Sequence, residues 1–378
     1  MDRYHEVERT FNAAPDARPP MTVPKRSRVE RRLLDDNGYT LAAVADDTLH
    51  RQRLSGSSLR LARLLGHLRS PTRTTEFDTS HRARRATAGA VMVAYLQDQV
   101  DQLVRAHRGA RSDDPDAVHA MRVATRRLRS TLATYRLLVD RQRTEPLRAE
   151  LKWLGQVLGG SREAEVLHRR MRALIAAQPK DPVLDQVADQ IDQELGGRSQ
   201  VAMADLRAAL DGERYVQLLD ALADLVAHPP LTAAASKRAR KLVPALVGQV
   251  VRRVERAAQA VADDGTGQTR NTGLHEVRKC AKRARYAAES AVPVTGQDAT
   301  RLADRMKSLQ EVLGEHQDSV AAQGLLLKLM MASEQSGDYD LAFGQLYAEE
   351  SGRAHDARRA YKAALRRASA EKARRWTR

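Results

Sequence analysis

The sequence predicts an all-α protein built from two repeated helical units, and three observations predict it. Hydrophobic residues make up 42% of the 378 positions but aromatic residues only 4%. The core must therefore be assembled from Leu, Val and Ala at helical spacing, which is a helix-bundle composition. From about Arg84 onward, apolar residues recur at intervals of three and four, with Gly, Pro and Asp clusters between them and no competing strand signal. Finally, two blocks of sequence recur in the same order at nearly the same offset.

Residues 1–80 stand apart. They carry Pro15, Pro19, Pro20, Pro24 and Pro71, a mixed-charge run from Lys25 to Arg32, and no sustained helical period. The boundary is expected within residues 70–84, at Ser70-Pro71 and the polar segment after it. Beyond it, breaks between helices are expected at Asp113-Asp114-Pro115, Gly159-Gly160, Pro179 to Pro182, Gly196-Gly197, His228-Pro229-Pro230 and Asp263 to Gly267. Asp114 is placed to cap a helix whose first residue is Pro115. Asp185 to Leu195 and Tyr215 to Val226 each turn one apolar stripe to a core.

The repeat aligns VHAMRVATRRLRSTL from Val118 with LHEVRKCAKRARYAA from Leu274, and LGQVLGGSREAEV from Leu154 with LQEVLGEHQDSVA from Leu309. Two matched blocks in one order indicate a duplicated unit with room for about four long helices in each copy. The first copy spans residues 84–212 and the second 213–378.

Charge bounds the partner. Lys and Arg number 64 against 48 Asp and Glu, a formal net charge of +16, which calls for an anionic partner such as nucleic acid, an anionic surface or a phosphate polymer. The single cysteine, Cys280, excludes an intrachain disulfide framework and a cysteine-based metal cluster. No stretch is long and apolar enough for membrane insertion, and the first residues lack an apolar signal core, so a cytoplasmic location is expected.

On a helix of 100° per residue, His119, Arg122, Arg126, Arg129 and Arg136 fall on one face, with Met121, Leu128, Leu132, Tyr135 and Val139 opposite. The second block repeats the pattern with His275, Arg278, Lys282 and Arg285 against Val277, Ala281, Ala284 and Ala288. From Val118 to Tyr135 there is no acidic residue, so these arginines are not neutralised along their own helix. A solvated face is the ordinary meaning of such a run, but that face is free to exchange Arg for Glu, and here cations recur at four matched positions. The paired stripe reads as a track for an extended anion. Arg127, Lys279 and Arg283, from the same two blocks, join the candidate binding set. Neither histidine has further ligands at metal-binding spacing, so no metal is expected, and an imidazole beside phosphate is expected to tighten binding as pH falls. Weaker clusters lie at Lys237 to Lys241 and at Arg252, Arg253 and Arg256, on predicted helices of the second half that are candidates to join the same surface, and at Arg366 to Arg375, expected to be a solvated or frayed tail.

The residues HAMRVATRRLRSTLATYR from His119, HEVRKCAKRARYAAE from His275 and LGEHQDSV from Leu313 resemble the signature of the CHAD family, the conserved-histidine α-helical domains. The resemblance covers roughly Arg84 to the C-terminus. It implies two pseudosymmetric four-helix bundles around a basic groove, binding of inorganic polyphosphate, and a place at polyphosphate granules. Carried to matching positions, it implies His119, Arg122, Arg126, Arg129, His275, Arg278, Lys282 and Arg285 as ligands, with Arg162 added from the loop-like segment at Gly159-Gly160-Ser161. There the family often has Arg-Asp where this chain has Arg162-Glu163. The N-terminal region resembles fragments of a CYTH domain, through Glu6-Val7-Glu8 and Phe11, Leu34 to Gly38, Ala45 to Asp47 and Ser57 to Leu65. The lysine of that family's Glu-x-Glu-x-Lys motif is replaced by Thr10, and about 80 residues is short for a closed eight-stranded tunnel. This segment is expected to be a degenerate remnant, a few strands or largely disordered.

A non-enzymatic polyanion-binding protein without a cofactor is therefore expected. There is no Gly-rich phosphate loop, no nucleophilic triad and no paired carboxylates on the basic face. The alternatives are binding of nucleic acid through its phosphate backbone, and residual triphosphatase activity through Glu6 and Glu8.

Overall fold

The computed structural model describes residues 86–263, 267–332 and 337–377. The boundary within residues 70–84 and the CYTH-like segment lie outside them. Among the described residues the chain is all-α, with nine helices of 15 residues or more and no strand beyond two isolated bridges. These are α1 (Ala88–Arg111), α2 (Pro115–Thr134), α3 (Arg141–Ala176), α4 (Pro182–Asp211), α5 (Glu213–Ala227), α6 (Ala239–Asp263), α7 (Gly267–Thr295), α8 (Gln297–Ala332) and α9 (Asp338–Ser369). A short 3₁₀ turn, Ala233–Ser236, precedes α6, and a final turn of helix, Glu371–Arg374, follows α9.

The start of α2 is built as its sequence dictates. Asp114 caps it by accepting from the Asp116 N–H at 3.0 Å, and Pro115 occupies the first turn, where a missing N–H costs nothing. Thr87 caps α1 and Asp181 caps α4 in the same way. Two expected breaks are absent. Gly159-Gly160 lies inside α3 and Gly196-Gly197 inside α4, so both helices run on where loops were expected. A helical glycine costs only about 1 kcal/mol, which packing readily offsets. At Gly160 the reason is visible, since an added Cβ would stand 3.3 Å from the Ala202 Cβ of α4. Nothing in the structure explains Gly196 and Gly197.

The buried apolar residues form two cores. The larger gathers α1, α2, α5, α6, α7, the first halves of α3 and α8 and the C-terminal ends of α4 and α9, with Leu96, Met121, Leu128, Leu154, Leu206, Val247, Val277, Leu309 and Ala364 among its buried members. The smaller joins the far ends of α3 and α8 to α4 and α9, through Met171, Ile191, Leu326 and Phe343. Each core therefore takes side chains from both halves of the chain. Helices of the two halves touch in pairs: α1 meets α6, α2 meets α7, α3 meets α8 and α4 meets α9. The C-terminal basic segment is docked, a correction to the frayed tail expected from its charge. Arg374 pairs with Glu255 of α6, Thr377 is buried against Gly248, and Trp376 packs on the larger core.

Candidate polyanion site

The two basic blocks form the middle of α2 and α7, and these helices pack against each other. Their apolar faces are buried as the periodicity requires. Met121, Leu128, Val277, Ala281, Ala284 and Ala288 have no exposed surface, and Leu132 has almost none. Tyr135 and Val139 are buried too, but α2 ends at Thr134, so both belong to the turn beyond it. With the apolar sides fixed, part of each charged side turns to the junction of α2, α7, α3 and α8.

Arg122, Arg126, Arg162, Arg278 and Lys282 lie within electrostatic range of one another there. The acidic contribution is small and symmetric. Glu163 of α3 accepts from the Arg122 guanidinium at 3.2 Å, and Asp318 of α8 faces Arg278. These two acids occupy matching places in the second sequence block. Arg278 lies over Gly314, where an added Cβ would stand 3.2 Å from its Nη2, so the bare helix surface is what lets the guanidinium rest on α8. Arg162 is drawn toward Glu165 at 2.6 Å. The Nε of both Arg122 and Arg278 is buried without a partner.

Crowded, half-buried cations of one sign raise the cost of holding charge. Desolvation, then the neighbouring Arg278, Arg126 and Arg122, push the Lys282 ammonium down to about 7. Burial followed by Arg126 brings Arg122 down to about 10. Arg278 is lowered as well, by burial first. His119, exposed at the mouth of the cluster, is lowered by desolvation and then by Arg162, Arg122 and Arg126. His275 is held differently, its Nδ1–H donating to Oε1 of Gln317 at 2.8 Å. Glu163, Gln317 and Asp318 are the acid and amide partners that the cation pattern alone did not mark out.

The remaining candidates divide. Arg129 faces Arg283, and Arg283 in turn faces Arg253, which also faces Arg136 and Arg256. Arg127 and Arg285 are engaged elsewhere. Arg127 reaches Glu289 with Nε at 3.0 Å and Nη2 at 2.9 Å, Arg285 takes the other oxygen at 2.8 Å, and both guanidinia lie about 5.8–5.9 Å from the Tyr286 ring centroid. Matched positions thus exchange tasks. Among the described residues Arg129 has no carboxylate partner where its counterpart Arg285 is ion-paired, and Arg127 is ion-paired where its counterpart Arg283 has none. Lys279 is exposed and paired with Glu276 at 2.5 Å. Arg285–Glu289 and Lys279–Glu276 stand four and three residues apart, so the sequence in and just after the second block does carry the signal that neutralises them.

Tyr135 and Tyr286, the aromatics of the basic helices, are both buried, Tyr135 with its hydroxyl 2.9 Å from Ser290 Oγ. Among the described residues no group of three or more His, Cys, Asp or Glu is placed to hold a metal ion, and no helix is long and apolar enough to cross a membrane.

Comparison with protein families matches residues 94–327 to the CHAD domain. Two uncharacterized proteins of Mycobacterium tuberculosis, MT2285 and Rv2226, are 34% identical over 277 residues, 72% of this chain and 52% of theirs. The chain spans about half the length of these curated relatives. Among solved structures, PptA from Streptomyces chartreusis superposes with a TM-score of 0.65 at 23% identity, over 74% of this chain and all of that one. The CHAD domain from the plant Ricinus communis gives 0.56 at 21% identity, over 75% of this chain and 92% of that one. At these identities the likeness is one of fold.

Proposed function

The chain belongs to the CHAD family, and from this premise we propose that it binds inorganic polyphosphate, a linear polyanion, in the basic junction of α2, α3, α7 and α8, without catalysing a reaction. The observation that carries the reading is the cluster of Arg122, Arg126, Arg162, Arg278 and Lys282, which holds more cations than Glu163, Asp318 and Glu165 neutralise. A fold keeps like charges together at a cost when an outside anion relieves it. From His119 to Arg129 the cations extend along α2 for roughly 15 Å, which suits a chain of phosphates better than a single small anion.

The same features weigh against nucleic acid. Single-strand binders add aromatic platforms for the bases, whereas Tyr135 and Tyr286 are buried in the fold. Lys282, Arg122 and Arg278 are half-buried, within reach of a thin phosphate chain but recessed from the broad surface of a duplex. We further propose that α1–α4 and α6–α9 descend from one duplicated four-helix unit, spanning about 84–212 and 213–378. The touching of matched helices and the Arg122–Glu163 and Arg278–Asp318 correspondence support this. A cytoplasmic protein associated with polyphosphate granules is the setting that fits such a ligand.

The test is competitive binding of labelled long-chain polyphosphate, with duplex DNA and single-stranded RNA as competitors at matched phosphate concentration. The pair Arg126→Glu and Lys282→Glu should abolish binding, and neither nucleic acid should displace the label efficiently. Equal competition by nucleic acid, or unchanged binding by the double variant, would reduce the cluster to a general cation surface.

A further inference from the structure

Beyond the five-cation cluster lies a second group, in which Arg129, Arg136 and Arg283 of the basic blocks meet an arginine of α6. Arg129 of α2, Arg283 of α7, Arg253 of α6 and Arg136 beyond the end of α2 come from four places in the chain. Among the described residues none of the four forms an ion pair with a carboxylate. Arg148, which also faces Arg129, is different, because Glu145 holds it with contacts of 2.6 and 2.8 Å. Each of the unpaired four lies within electrostatic reach of the next: Arg126 of the first cluster acts on Arg129, Arg129 and Arg283 act on each other, and Arg283 and Arg136 act on Arg253, on helices α2, α7 and α6 that pack together. A solvated surface normally interleaves charges of both signs. Here α6 packs on α7 and α2 in a way that lines up its one half-buried arginine, Arg253, with the others.

We infer that Arg129, Arg283, Arg253 and Arg136 form a second phosphate-binding segment, contiguous with the first, so that only a polyphosphate chain long enough to cross from the α2–α3–α7–α8 junction onto α6 engages both. The inference rests on the polyphosphate reading and adds to it a basis for chain-length selectivity. A short chain fills the first cluster and stops. A long chain gains further charge contacts on α6, each adding to affinity and to its salt dependence. Connecting two segments through one ligand makes the second contact intramolecular, so the gain exceeds what the isolated arginines would show toward free phosphate.

The experiment compares tripolyphosphate with long-chain polyphosphate on the unaltered protein, on Arg253→Gln, and on Arg253→Gln with Arg283→Gln. The double variant should lose about tenfold or more in affinity for the long chain at near-physiological salt, with a log–log salt slope shallower by about two, if these contacts behave as phosphate contacts do on nucleic acid. Its affinity for tripolyphosphate should be unchanged, which also reports an intact first cluster. Equal losses for both ligands, or no loss for either, would overturn the second segment while leaving the polyphosphate reading standing. Failure of the unaltered protein to bind either ligand would overturn that reading, and the inference with it.

Discussion

Polyphosphate binding should be accompanied by proton uptake at Lys282, and the binding constant should fall as pH rises above neutrality. Burial and three arginines hold the Lys282 ammonium down at about 7, against an ordinary value of 10.5. A polyanion laid across the cluster supplies the missing counter-charge and returns the group toward its ordinary range. A group whose bound-state value lies above its free-state value binds more protons in the complex, so affinity is full below about 7 and declines above it. If the bound value is restored to 10 or higher, affinity should fall by about 50-fold between pH 7 and pH 9. Calorimetry in two buffers of different ionisation enthalpy would count the protons, with about half a proton taken up at pH 7 and nearly one by pH 8.5. Lys282→Arg should bind with a much flatter profile across this range. His119, itself lowered by desolvation, adds a second rise in affinity on the acid side as it gains a proton beside phosphate. Equal affinity at pH 7 and pH 9, with no proton uptake at pH 8, would refute the reasoning.

The same depression means that the unfolded chain binds more protons than the folded one between about 7 and 10.5, so the ligand-free protein should gain stability from Lys282 as pH rises through that window; Lys282→Met should raise the midpoint of thermal unfolding at pH 7 while weakening polyphosphate binding. Gly314→Ala should stabilise α8 by up to about 1 kcal/mol in urea unfolding, yet weaken polyphosphate binding, because the new methyl displaces the Arg278 guanidinium. Glu350 is fully buried and receives Arg170 through contacts of 2.6–3.0 Å, while Glu315 and the Ser319 hydroxyl hold the same guanidinium at 2.7 Å; Glu350→Ala should cost about 1–3 kcal/mol in urea unfolding by stripping Arg170 of its buried partner. Replacing the pair together, Arg170→Met with Glu350→Leu, should recover most of that loss. Asp114→Ala removes the cap of α2 and should cost about 1 kcal/mol by the same measurement.

Much of the fold was legible because helices announce themselves locally. Met121, Leu128, Val277 and Ala284 were assigned to the core from spacing alone and are buried, and the Asp114-Pro115 start of α2 follows from two residues. What escaped was set by distance in sequence. The poor helical propensity of Gly160 reads as a break, whereas the close approach of Ala202, forty-two residues away, favours a glycine inside the helix. The Arg170–Glu350 pair joins α3 to α9 across 180 residues and leaves no local trace. In the site, the face of α2 was readable and the fate of each cation on it was not. Glu289, beyond the second block, takes up both Arg127 and Arg285, and of the basic cluster at Arg252, Arg253 and Arg256 the sequence does not say which member turns to α7.

The sharing of each core between the two halves of the chain also has a consequence for synthesis on the ribosome. The N–H of Ala88, at the start of α1, donates to the carbonyl of Lys237, and Leu96, Met121 and Leu128 share their core with Val247, Val277 and Leu309. As the chain emerges, α1 to α3 therefore appear with their apolar stripes uncovered and wait for α6 to α8. The emerging first block is an amphipathic, strongly cationic intermediate. It is the kind of nascent species that depends on a holding chaperone, and that risks condensing on ribosomal RNA, until its later half arrives to bury one face and organise the other.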